Sequence, residues 1–321
     1  MEITKIRSNS LFVAKAFAIL SVVCAHMGFT NEYFVAEAIR NCLGQIGVAI
    51  FFVISGFFYK RTECDTKKYW SKKLKTFFLP WILFAIGTFA LSILLNKSLE
   101  GFPLSFVKYF LGIGSLYWYM SISFVMFVIF KYITKRWQLV LCVIISIVSV
   151  YLTAFHIIPV VPYFNQYLNL FNWIGFFAIG ILLRKENLLE KLINTKSFII
   201  SLIIVVASIS VAVLRGNEVK AYVDVTSLFT EVFGFVLILN LSDWLANNKL
   251  LIDIGKKSFF IYLMHIQIAG IVTTRLPYNA VFFILRPFIA LAVCYIVSVV
   301  FKYLLKLLKM DKYNFMFGLD R

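Results

Sequence analysis

Charge is scarce in this chain, and negative charge is scarcer: 15 Asp and Glu stand against 32 Lys and Arg in 321 residues, with only three histidines and six prolines. Charged residues are 15% of the whole and hydrophobic ones 61%. A water-soluble globule of that composition would have to expose large apolar patches, so that class is excluded. There is no Pro/Gly/Ser-rich linker and no visible internal repeat, and residues 1–321 read as a single integral-membrane domain without an appended soluble one. The cysteines at 24, 42, 64, 142 and 294 have no paired spacing, which implies neither a disulfide framework nor a metal site. The apolar segments do not alternate with polar residues, which excludes a barrel of membrane strands.

What is present is a series of runs long enough to cross a bilayer. They lie at roughly 11–29, 43–59, 76–95, 116–133, 138–155, 167–183, 198–214, 224–242, 258–274 and 281–304, predicting an all-α polytopic protein of about ten transmembrane helices. Basic residues decide the orientation. With the N-terminus in the cytoplasm, the inner segments hold 24 of the 32 Lys and Arg and the outer loops six, namely Arg40, Lys97, Lys108, Arg215, Lys220 and Arg275. An even number of spans then returns the C-terminus to the cytoplasm. The net charge of +17 follows from this topology and from attraction to anionic lipid, so no nucleic-acid partner is implied. No small-residue cleavage site follows the first run, which therefore reads as a retained span. Ser8, Asn9 and Ser10 precede it as candidate helix caps.

Within the spans, a few polar residues break the apolar rule, and such groups need a protein interior or a wet cavity. Lys15 and His26 are eleven residues apart, about three turns plus 20°, so they share one stripe of the first helix. Glu231 lies inside the eighth span; it is either a structural ion pair, with Arg286 of the tenth span as a possible partner, a neutral acid, or a participant in chemistry. Ser258, Tyr262 and His265 fall at i, i+4 and i+7 of the ninth span and make a second polar stripe. Two imidazole-bearing stripes suggest a shared cavity. Trp118 and Tyr119 stand where an aromatic belt is the plain expectation, and His156 reads as a solvated loop residue.

The densest charge cluster is Lys60, Arg61, Lys67, Lys68, Lys72, Lys73 and Lys75, opposed only by Glu63 and Asp65 and followed by Pro80. It reads either as positive-inside bias or as a cytoplasmic site for a phosphate-rich ligand. The second span carries Gly47, Ser55 and Gly56, small residues that let another helix approach closely.

Together these residues resemble the membrane-bound acyltransferase family 3, which includes bacterial O-acetyltransferases of cell-envelope glycans. The basic residue and histidine separated by ten are Lys15 and His26; the Gly-Val-x-x-Phe-Phe-x-x-Ser-Gly-Phe pattern runs from Gly47 to Phe57; the basic run before a proline is Lys72, Lys73, Lys75 and Pro80; and Ser-x-x-x-Tyr-Leu-x-His is met by Ser258, Tyr262, Leu263 and His265. Two features depart from the family. Its cytoplasmic arginines are lysines here, and the stretch Leu116 to Ser121 is not followed by the usual glutamate.

The resemblance implies a multi-pass protein of the bacterial plasma membrane that moves an acyl group, most often acetyl from cytoplasmic acetyl-CoA, to a sugar hydroxyl of a lipid-linked or exported glycan. It implies His26 as general base, Lys15 as an electrostatic partner and His265 beside them. Arg61, Lys72, Lys73 and Lys75 would hold the CoA phosphates, and Ser258, Tyr262 and Glu231 would contact substrate. An exporter or flippase of a polysaccharide intermediate is the alternative, against which stands the absence of an inverted repeat.

Overall fold

The computed structural model describes residues 5–27, 34–59, 66–96, 103–157, 166–215, 224–277 and 279–319, and all regular structure among them is helical. The helices are α1 (Lys5–Ala25), α2 (Phe34–Phe57), α3 (Thr66–Lys73), α4 (Leu79–Asn96), α5 (Leu104–Leu111), α6 (Trp118–Ile129) and α7 (Arg136–Ala154). They continue as α8 (Leu170–Lys185), α9 (Leu189–Leu192), α10 (Thr195–Leu214), α11 (Ser227–Trp244), α12 (Lys249–Arg275) and α13 (Ala280–Leu307). A π-helical segment, Leu74–Phe78, joins α3 to α4, and a 3-10 turn, Asp311–Phe317, follows α13.

Helix is the expected answer for such runs, since a lipid environment leaves backbone polar groups no partner outside the helix. The starts of four helices are written locally. Asn169, Asn194, Asn248 and Asn279 each sit just before a helix with the side-chain oxygen accepting from a backbone N–H of the first turn, at 2.9–3.1 Å.

Every expected run overlaps a helix, and residues 28–29 of the first run lie outside the described residues. Among the described residues, six stretches are long and apolar enough to cross a membrane: Arg7–Ala25, Lys67–Leu94, Arg136–Ala154, Thr195–Leu214, Ser227–Trp244 and Ala280–Leu307. The other runs fall on α2, whose apolar part is Cys42–Phe57, on α6 and α8, of 12 and 16 residues, and on α12, which carries Asp253, Lys256 and Lys257.

Two sequence expectations need correction. Ser8, Asn9 and Ser10 are not caps, because α1 already begins at Lys5; Ser10 Oγ instead donates to Asp243 at 2.9 Å. The first helix does not reach residue 29. It closes at Ala25 through tightened turns, His26 N to Val23 O (3.1 Å) and Met27 N to Cys24 O (3.3 Å), which put His26 just past the helix end. The basic residues from Lys67 to Lys75 lie on the same rod as the third span, continued through the π segment.

α1, α2, α8, α11 and α12 form the centre, with α7 packed outside α8 and α10 outside α11. Backbones meet closely at a few glycines. A Cβ on Gly56 would lie 2.0 Å from the Phe177 carbonyl oxygen, and one on Gly180 would lie 1.9 Å from that of Val53, so α2 and α8 cross there in direct contact. Between α7 and α8, Ser149 Oγ donates to Asn172 Oδ1 (2.6 Å) and Ser146 Oγ to Asn172 O (2.8 Å), a buried polar seam with its groups paired.

Helix ends rich in basic residues gather at one end of the bundle. Arg7 pairs with Asp243 and, at 3.8 Å, with Glu190; Arg136 pairs with Glu186 at 3.8 Å; and Arg184 Nη1 reaches the Phe57 carbonyl at 3.4 Å. At the other end, Arg215 pairs with Asp224 at 3.0 Å. The tail folds back at the basic end: Phe317 packs edge-on to Phe301 (4.8 Å) and Leu319 is buried with Phe260 and Leu305.

Candidate active site

The site is built on the contact of α1 with α12. A Cβ at Gly255 would lie 1.8 Å from the Phe12 carbonyl oxygen, so only glycine lets these helices touch there. Both run away from the basic end, and their polar stripes therefore lie side by side: Lys15 follows Phe12 by three residues, as Ser258 follows Gly255. Tyr262 and His265 come one and two turns further on, His265 about 15 Å beyond the crossing at 1.5 Å per residue.

Beside this contact is a cavity of about 340 Å³. Lys15, Ser55, Lys72, Lys73, Lys256, Ser258 and Tyr262 contribute polar or charged groups to its wall, and Tyr59, Tyr119, Phe127 and Phe259 contribute rings. Thr76 and Phe77 bring the π segment into the wall as well. Lys73 Nζ lies 3.5 Å from the centre of the Phe127 ring, and Lys15 Nζ lies 5.4 Å from those of Phe12 and Phe58. Aromatic faces thus hold both ammonium groups at the cavity wall. Cations on an otherwise apolar, aromatic wall suit a long amphipathic ligand that carries anionic groups.

Tyr262 closes the cavity toward the histidines. Its hydroxyl donates to the Leu116 carbonyl, and its ring lies 5.3 Å from Tyr119. Its own carbonyl oxygen stands 2.5 Å from His265 Nδ1. A carbonyl can only accept, so Nδ1 carries the proton and the lone pair of the neutral ring sits on Nε2. His265 is fully buried, and Nε2 has no hydrogen-bond partner among the described residues. The His26 ring, exposed at the end of α1, is centred 5.0 Å from that of His265.

The two rings thus meet at the end of a cation-lined chamber. A family model described as an acyltransferase domain matches residues 9–305. The chain belongs to acyltransferase family 3. No curated protein and no solved structure matches it.

In this membrane acyltransferase, the residues singled out by sequence separate into groups. Lys15, Lys72, Lys73, Ser258 and Tyr262 share the cavity, and His26 and His265 meet beyond Tyr262. Lys75 is exposed and is not part of the wall, although it is two residues from Lys73. Arg61 lies outside the described residues. Glu231 is buried on α11 and does not line the cavity. Nor does it pair with Arg286, whose Nη2 donates to the carbonyls of Leu276 (3.1 Å) and Pro277 (3.2 Å) at the end of α12; Glu231 Oε1 accepts no hydrogen bond among the described residues.

Sequence reasoning missed the aromatic wall. Tyr119, expected in an interfacial belt, is buried between Phe52 (4.7 Å) and Tyr262, while Trp118 packs on Trp173 (5.3 Å). The signal was a run of three aromatics, Tyr117 to Tyr119, more than a belt on one helix face needs.

Proposed function

We propose that this acyltransferase is an O-acetyltransferase that takes an acetyl group from cytoplasmic acetyl-CoA and places it on a sugar hydroxyl of a lipid-linked or exported cell-envelope glycan in the bacterial plasma membrane. Ten helices, α1, α2, α4, α6 to α8 and α10 to α13, cross the bilayer, with both termini in the cytoplasm. The observation that carries this reading is that Tyr262 belongs both to the lysine-lined cavity and, through its carbonyl, to the histidine pair. A donor with phosphates at one end and a thioester at the other matches that polarity.

The roles follow from position. Lys72 and Lys73 bind the phosphate-bearing part of the donor as point charges. Lys15, deeper along α1, positions the donor in the cavity by meeting a phosphate or the polar groups of its pantetheine arm. His26, reachable from the side opposite the basic end, accepts the proton of the acceptor hydroxyl; desolvation lowers its pKa from the usual 6.5 to about 4, which keeps the ring neutral and able to accept at working pH. The new bond joins the sugar oxygen to the acyl carbon, the carbon–sulfur bond breaks, and the proton passes from His26 to the departing CoA sulfur. His265 positions His26: its Nε2 lone pair faces no other donor and can accept the N–H of His26 as that ring becomes charged. Ser258 and Tyr262 line the path of the acyl group.

The test is transfer of labelled acetyl from acetyl-CoA to glycan by the purified protein in lipid vesicles, joined to mass spectrometry of surface polysaccharide from cells with and without it. Label appearing in glycan, and an acetyl mass difference per modified sugar in cells, is the expected result. Glycan moved across vesicles with no label transferred would overturn it in favour of export.

A further inference from the structure

A second cavity, of about 450 Å³, opens at the basic end between the α6–α7 turn and the end of α8. Its wall includes Tyr59, Phe130, Thr134, Arg184 and Lys185. Tyr59 lines the donor cavity as well, so the two chambers share one aromatic side chain in their walls. The shared ring is held in place: Tyr59 OH donates to the Phe127 carbonyl at 3.4 Å, and the two rings are parallel at 6.5 Å. Cations flank it on both sides, Lys73 on the face of Phe127 and Arg184 with one nitrogen on the Phe57 carbonyl.

The size of the first chamber matters here. A cavity of about 340 Å³ with an aromatic wall suits an extended pantetheine arm with its acyl group. The second chamber adjoins the first at Tyr59 and offers aromatic and cationic groups to whatever part of the donor extends beyond the arm. Positive-inside bias and the α8 dipole explain why Arg184 and Lys185 are basic. They do not explain why those residues wall a chamber with aromatic and apolar sides that shares a wall with the donor cavity. Resting on the acyl-CoA reading above, we infer that the second cavity receives the nucleotide end of the donor, with the purine against Tyr59 and Phe130 and a phosphate on Arg184 and Lys185.

Calorimetric titration of the full-length protein in lipid nanodiscs tests this, using three probes: CoA, pantetheine, which lacks the nucleotide, and adenosine 3′,5′-bisphosphate, which lacks the arm. In the double variant Arg184→Gln, Lys185→Gln, affinity for CoA and for the bisphosphate is expected to fall about tenfold or more, as for lost charge-assisted hydrogen bonds, while pantetheine binding stays the same. Lys185→Gln alone, at an exposed head group that cannot disturb the fold, should show a smaller loss of the same selectivity. Unchanged CoA binding in the double variant would overturn the inference, as would an equal loss for CoA and pantetheine. An anionic phospholipid that copurifies with the wild type and is lost from the variant, with CoA affinity unaltered, would instead make the chamber a lipid site. If the wild type binds none of the three probes, the acyl-CoA reading itself fails.

Discussion

His26 and His265 come from opposite ends of the sequence, yet their rings are centred 5.0 Å apart, and only the His265 ring has its tautomer fixed, by the Tyr262 carbonyl. The unequal environments give the pair a direction, from an exposed imidazole to a buried one whose Nε2 can accept a hydrogen bond.

Replacing His26 by Ala should lower acetyl transfer by about 10²–10⁴, the ordinary worth of a positioned general base. Protein level in the membrane should not change. His265→Gln should have a smaller effect, and the double variant should be no slower than His26→Ala alone, because residues acting as one unit are not additive. Initial rates with labelled acetyl-CoA measure this; additive losses would separate the two rings functionally.

The basic run should divide into two kinds of lysine. Lys72→Gln and Lys73→Gln remove charges from the cavity wall and should each weaken CoA binding by about tenfold, whereas Lys75→Gln, outside that wall, should leave it within about twofold. Titration of CoA at two salt concentrations checks this, with the wild type more salt-sensitive than the first two variants.

Gly255→Val forces α1 and α12 apart at the Phe12 carbonyl and should cost at least about 1–3 kcal/mol, along with activity. Gly87→Ala is the matched control. No atom lies within 4 Å of a Cβ there, and alanine favours a helix, so thermal unfolding in detergent should be unchanged or slightly raised.

Gly318 adopts a left-handed conformation (φ 72°), and a Cβ on it would stand 2.4 Å from the Phe259 ring. That ring is both a cavity wall and the stacking partner of Phe77, at 5.8 Å. Gly318→Ala should therefore push Phe259 toward the donor, raising KM for acetyl-CoA several-fold with less effect on kcat. Steady-state kinetics at saturating acceptor would show the split.

Much of this was legible in the chain. Each apolar run became a helix because lipid leaves the backbone no other choice. The stripes of Lys15 and of Ser258, Tyr262 and His265 were visible because a helix repeats regularly. What periodicity could not show was how one helix meets another. That Lys73 turns into the cavity while Lys75 does not, that Tyr119 faces Tyr262 rather than lipid, and that Glu231 and Arg286 stay apart all depend on contacts between distant segments. Even the end of α1 at Ala25 was set by two tightened turns with no proline or charge to announce them.

The π segment Leu74–Phe78 explains one of those contacts. Tyr69, Lys73, Phe77, Trp81 and Ala85 are four residues apart, and in a regular α-helix such a series winds around the axis by about 40° per step, about 160° from first to last. The wide turn, in which Leu79 N–H reaches back to Leu74 O, holds one residue more than an α turn and cancels about 100° of that drift. One side of the rod thus stays in phase from the lysine-bearing end to buried Trp81 and Ala85. Deleting a single residue there would leave composition and hydropathy almost untouched, yet would swing the Lys72 and Lys73 side chains about a quarter-turn away from the chamber they serve.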